Sequence, residues 1–171
     1  ATQNPVESEG TYSLPEAALD RFLLKLLIHY PTPEEERQIL ELHTGATQFD
    51  LLEQIKVVLK TEEIQQVIEA AAGIKVAPSI LEYITSLVPA TREADDIYLG
   101  CSPRAGIALM KTARVRALME GRDFVIPDDI KELVRPAFRH RILLTPEAEV
   151  EGRTPDDAIQ DVVLGVPVPR E

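Results

Sequence analysis

Apolar residues recur at helical spacing through most of the second half of this chain, whereas the first half holds one nearly continuous apolar run. Ile64, Val67, Ile68 and Ala71 follow an i, i+3, i+4, i+7 pattern that predicts a helix closed by Gly73. Ile80, Ile84, Leu87 and Val88 repeat the stripe on a second helix running to Pro89. Gly106, Leu109, Met110, Ala113 and Ala117 line a third that ends at Gly121, and Ile130, Leu133, Val134, Ala137 and Phe138 line a fourth. Ile159, Val162 and Val163 mark a shorter fifth. Lys75-Val76 and Phe124-Val125-Ile126 precede the second and fourth helices and are expected to pair as a tiny ribbon. Amphipathic helices of this length joined by short links predict a bundle.

The first half reads differently. Residues 15–21 predict a short helix running into Phe22 to Tyr30, a run broken only by Lys25 and His29 and bounded by Pro31. Such a run predicts a strand buried on both faces. Residues 33–44 predict an acidic-to-apolar helix stopped by Gly45, and a polar turn leads into a connector. Prolines punctuate the whole chain. Pro15, Pro33, Pro78, Pro103, Pro127 and Pro155 each stand just before an apolar-periodic stretch, where the first helical position tolerates a missing N–H. Thr32, Ser102 and Thr154 precede three of them as N-caps, and Thr32 with Glu35 has capping-box spacing.

Composition narrows the class. Of 171 residues 44% are apolar, too many for a wholly disordered chain. The longest apolar run is far short of the ~20 residues of a membrane span, and residues 1–15 hold neither a basic region nor an apolar core of a signal peptide. No membrane association is therefore expected. The single cysteine, Cys101, favours a reducing, cytoplasmic compartment and is read as a packing residue. His29, His43 and His140 stand far apart with no cysteine beside them, so no metal site is expected. A net charge of −11 argues against nucleic-acid binding, which needs a basic face. The basic cluster Arg135, Arg139, His140 and Arg141 is read as a charged helix end, and the pairs Asp128-Asp129 and Asp156-Asp157 as compensation of helix dipoles.

Four segments occur in an order and spacing far more specific than any one of them alone: ATQNP at 1–5, EGTYSLPEAALDRF at 9–22, SPRA at 102–105 and FRHRILL at 138–144. The chain resembles the C-terminal portion of a MoxR-family AAA+ ATPase. The resemblance implies a mainly α fold: a remnant of an AAA+ α/β core (last strand and flanking helices) over residues 1–47, a connector at 48–60 and an α-helical lid bundle at 61–171. No G-x-x-x-x-G-K-[ST] phosphate loop and no Walker B acidic pair occur, so the chain is expected to be a cut-down version of a longer protein. Alone it is expected neither to hydrolyse ATP nor to bind ATP or Mg tightly; both belong to the full-length protein.

Three residues carry the chemistry that the resemblance implies. Asn4 stands where the family has its sensor-1 asparagine, whose amide orients the attacking water. Arg21, in LPEAALDRF, matches the arginine finger that one subunit presents to the nucleotide of the next. An ordinary ion pair with an acid one helical turn back is unavailable to it, because those positions are Ala17 and Ala18. Arg104 matches sensor 2, reaching phosphate from the lid of its own subunit or of a neighbour. A cation in the first turn of a helix is electrostatically unfavourable, which itself points to a functional reason. Residues 7–10 resemble a loop at the family's subunit interface. The family further implies a ring, chaperone-like remodelling or maturation of partners, and partners with von Willebrand factor A domains. A magnesium-chelatase-type subunit shares the same sensors and finger. A non-catalytic helical interaction module is the reading from a different class, and it gives no reason to keep both arginines.

Overall fold

A computed structural model describes residues 1–2, 14–44 and 55–169. It is mainly α, as expected, and its only sheet among the described residues has two short strands. Asn4, the interface-like loop at 7–10 and the helix stop at Gly45 lie outside the described residues. The chain divides into two compact units, residues 26–70 and residues 1–25 together with 71–171.

Within residues 26–70 the principal element is α2 (Pro33–His43), which follows the short α1 (Glu16–Leu19) of the other unit. The capping box at its start is formed: the Glu35 amide donates to Thr32 Oγ1 at 3.4 Å, and the Thr32 amide donates to Glu35 Oε2 at 2.7 Å. The strand expected at Phe22 to Tyr30 is absent; Phe22 and Leu23 form a bend and residues 24–30 take no regular structure. A strand needs a neighbouring strand to take up its N–H and C=O groups in register, and no strand pairs with this segment among the described residues. Ile28 and Tyr30 accordingly stand 94% and 92% exposed. Helix α3 (Thr61–Gly73) forms where its stripe predicts, yet Ile64, Val67 and Ile68 remain exposed and only Ala71 is buried.

The other unit holds the core. Helices α4 (Pro78–Glu93), α5 (Pro103–Met119), α6 (Pro127–Phe138) and α8 (Pro155–Gly165) close on one another, with α5 packed against α4 and α6, and α8 against α4 and α6. Leu87, Leu109, Ile130, Phe138 and Ile159 are completely buried at their meeting point. Alanines 105, 108, 113 and 117 form the inner face of α5, and Gly106 faces Ile84 and Val88, so α4 and α5 approach closely. Pro33, Pro78, Pro103, Pro127 and Pro155 stand at the first helical position, as expected, whereas Pro15 is the N-cap of α1.

Four departures are local. Helix α4 does not stop at Pro89 but continues to Glu93, because Leu87, Val88 and Thr91 are buried and their packing outweighs one lost backbone hydrogen bond. A five-residue helix, α7 (Pro146–Val150), is capped by Thr145, whose hydroxyl accepts from the Ala148 amide at 3.3 Å. It is too short to show an apolar period. Strands β1 (Ile97–Leu99) and β2 (Leu143–Leu144) pair antiparallel, joining segments that carry no strand signature. The expected ribbon between 75–76 and 124–126 is a single parallel bridge, Lys75 to Phe124.

The loop from Gly100 to Ser102 is pinned to the end of α4. Its Cys101 amide donates to Thr91 Oγ1 at 2.9 Å, and Arg92 Nε donates to the Cys101 carbonyl at 2.8 Å. A Cβ at Gly100 would sit 2.7 Å from the Thr91 carbonyl oxygen and 2.8 Å from Arg92 Cα, so only glycine fits without moving backbone. Gly100→Ala is expected to lower the free energy of unfolding by about 1–3 kcal/mol, read from the midpoint of urea denaturation. A wild-type midpoint would mean that the loop is not held against α4.

Candidate functional site

The candidate site lies within the core-containing unit, where the start of α5 meets the segment after α1. Ser102 caps α5, its Oγ accepting from the Arg104 amide at 3.2 Å. The same hydroxyl donates to Asp20, lying 3.0 and 2.9 Å from its two carboxylate oxygens. Asp20 is one residue before Arg21, so the cap of α5 is tied directly to the expected finger.

Arg141 completes the tie from below. Its side chain is only 3% exposed, and each of its five N–H donors has an oxygen. Nε donates to Asp20 Oδ1 at 3.1 Å, Nη2 to the carbonyls of Asp20 (3.1 Å) and Phe22, and Nη1 to those of Leu23 (3.2 Å) and Ala137. His140 Nε2 donates to the Phe22 carbonyl at 3.0 Å, and the Lys25 amide donates to the Pro136 carbonyl at 2.9 Å. The Pro136 carbonyl near the end of α6 would otherwise be an orphan; here it holds Lys25. Arg139 forks onto Asp156 with two bonds of 2.9 Å.

The basic cluster read from sequence as a charged helix end is therefore corrected: His140 and Arg141 face inward as a clamp and Arg139 pairs with Asp156, while Arg135 alone stays exposed, bonded to Gln160. The acidic pairs are similarly more than dipole compensation. Asp129 is buried and takes both forks of Arg122, at 2.9 and 2.6 Å, while accepting from the Ile126 amide. Cys101 is fully buried, which pushes its thiol up to about 12 and makes it a packing residue rather than a nucleophile.

Above the clamp opens a surface cavity of about 190 Å³, lined by Asp20, Arg21, Leu23, Arg104, Ile107, Ala108, Lys111 and Arg141. Arg21 and Arg104, far apart in sequence, thus line one cavity. Four cations face a single carboxylate, and that carboxylate is already engaged by Arg141 and Ser102. Arg104 comes no closer to Asp20 than 3.9 Å and keeps 57% of its side chain exposed. The arrangement suits a multiply charged anion: guanidinium groups that stay charged, half-exposed to reach a ligand, beside the positive end of a 17-residue helix. Sequence reasoning missed Asp20, Lys111 and Arg141. Among the described residues no group of three carboxylate, imidazole or thiol side chains could hold a metal ion. No described helix is long and apolar enough to cross a membrane.

Comparison with known proteins bears on the class. A family model described as the AAA lid domain matches residues 89–162, and one described as an ATPase family associated with various cellular activities (AAA) matches residues 1–24. The protein YeaC of Bacillus subtilis is 43% identical over 169 residues, covering 99% of this chain and 52% of YeaC. Chaperone MoxR1 of Mycobacterium tuberculosis is 38% identical over 179 residues, covering 99% of this chain and 46% of that protein. A crystal structure of a Cytophaga hutchinsonii protein assigned as an ATPase superposes with a TM-score of 0.87 at 33% identity, covering 98% of this chain and 53% of that one. Together these matches support the C-terminal portion of a MoxR-family AAA+ ATPase. It spans about half the length of the curated relatives it matches.

The clamp also makes a pH dependence. Burial pushes the His140 imidazole below its ordinary 6.5, against the opposing bond to the Phe22 carbonyl. Its Nδ1 is buried without a partner, so a second ring proton would have no acceptor. A folded-state pKa below the unfolded value means that the contribution is complete above about pH 6.5 and is lost as pH falls through the folded pKa. The urea midpoint is expected to drop between about pH 7 and pH 5, and His140→Gln is expected to flatten that drop. An unchanged slope in the variant would remove His140 from the titration.

Proposed function

We propose that this chain is the arginine-presenting portion of an ATP-driven ring, in which Arg21 and Arg104 reach the phosphates of a nucleotide held by a neighbouring copy. The observation that carries the reading is their convergence on one cavity. Phosphoryl transfer spreads negative charge over the transferred group, and fixed cations aimed at that charge stabilise the transition state without reorganising. Arg21 is the finger and Arg104 the sensor-2 cation. Because Asp20 and Ser102 tie their segments together, a finger supplied in trans carries Arg104 to the same nucleotide. Leu23 and Ile107, about half exposed beside the cations, supply apolar surface for the facing copy.

Asn4 is the water-orienting sensor in this reading. Residues 1–47, 48–60 and 61–171 are the core remnant, connector and lid. The complete protein uses ATP and Mg in the cytoplasm for chaperone-like remodelling or maturation of partners, von Willebrand factor A domain proteins among them. Support for the chaperone role is the relative Chaperone MoxR1. This chain alone is inactive, since it lacks a phosphate loop to supply most contacts.

The decisive assay is steady-state ATP turnover by the complete gene product beside its Arg21→Ala variant. Turnover is expected to fall by about 10³-fold or more with ring assembly intact. Unchanged turnover would remove Arg21 from catalysis.

A further inference from the structure

The cavity holds one cation that neither the clamp nor the two proposed phosphate contacts employ. Lys111 lies seven residues beyond Arg104 on α5, which returns it to the same face roughly 10 Å further along the axis. Ile107 and Ala108 line the wall between them. The positions three and four residues to either side of Lys111 are Ile107, Ala108, Arg114 and Val115, so no acid on its own helix can neutralise it. Among the described residues it makes no ion pair, whereas Arg116 on the same helix bridges Glu120 at 3.2 Å and Glu132 at 3.3 Å. In a chain of net charge −11, an unbalanced lysine aimed into a cavity already lined by three arginines is out of keeping with a solvated surface.

We infer that Lys111 is a third phosphate-binding residue of this cavity, holding the part of the nucleotide polyphosphate that survives cleavage as the diphosphate. The inference rests on the reading of the cavity as a phosphate site. Arg21 and Arg104 cluster beside Asp20 at one end, where they meet the phosphoryl group that is transferred. Lys111 stands at the other end, too far along α5 to share the same phosphate as a matter of course. Two separated cation positions suit an extended polyphosphate rather than a lone phosphate. An ammonium is also well matched to this role, being a point charge on a flexible stem that can keep hold of a phosphate as the bond breaks. Lys111 therefore acts on diphosphate and triphosphate alike, while the arginines favour the triphosphate.

The experiment measures the dissociation constants of fluorescently labelled ADP and of ATP, with turnover at saturation, for the assembled complete gene product and its Lys111→Gln, Arg104→Gln and Arg21→Ala variants. Lys111→Gln is expected to weaken ADP and ATP equally, by about 3- to 10-fold. Arg104→Gln is expected to weaken ATP more than ADP and to lower turnover. Lys111 is exposed on a helix and its amide substitute keeps helix propensity, so folding is not at stake. Unchanged affinity for both nucleotides in Lys111→Gln, with the arginine variants impaired, would overturn the assignment of Lys111 alone. Full activity in both arginine variants would overturn the phosphate-site reading itself, and the assignment of Lys111 with it.

Discussion

The buried guanidinium of Arg141 is the constraint on which the arrangement of the candidate site depends. A charge this deep is costly unless every donor is met, and here all five are met by the Asp20 carboxylate and by the carbonyls of Asp20, Phe22, Leu23 and Ala137. The segment after α1 has no sheet to join among the described residues, so its backbone groups would otherwise depend on water. Arg141, His140 and the Pro136 carbonyl near the end of α6 replace a sheet neighbour with side-chain and helix-end contacts. Packing then follows from polarity: Arg141 and Ser102 bond the same Asp20 carboxylate, and Ser102 is where α5 begins.

The position of the cavity follows from this clamp. Arg21 takes its place from Asp20, and Arg104 takes its place from the Ser102 cap, so one carboxylate fixes both cations. Gly100 and Cys101 add a second constraint by seating the cap against α4. Under the proposed reading, finger and sensor 2 travel as one piece and address one nucleotide. A ring ATPase built so would bring two cations to a neighbour's phosphates in a single movement.

What was legible in the sequence was local. Proline at the first helical position and a threonine or serine before it located the starts of α2, α5 and α8, because the signal spans four residues. The lid core was legible from helical period, since Leu87, Leu109, Ile130 and Phe138 point where their spacing says. Pro89 misled, because a rule about one backbone bond ignores burial of the residues around it. The run from Phe22 to Tyr30 misled for the opposite reason: its composition suits a buried strand, but pairing partners are not a property of the run. The clamp was beyond local rules altogether. Arg141 and Asp20 are 121 residues apart and Ser102 and Asp20 are 82 apart, whereas helix and cap rules see at most four. Family resemblance located Arg21 and Arg104 and left their neighbours without roles.

Amide hydrogen exchange in the chain and its Arg141→Met variant tests the clamp most directly. Methionine fills much of the arginine volume but meets none of the carbonyls. The account predicts that amides of residues 20–25, the Lys25 amide above all, exchange at least about tenfold faster in the variant while the core amides of α5 and α6 stay protected. Unchanged exchange across 20–25 would contradict it, and would leave Arg21 and Arg104 neighbours without a common anchor.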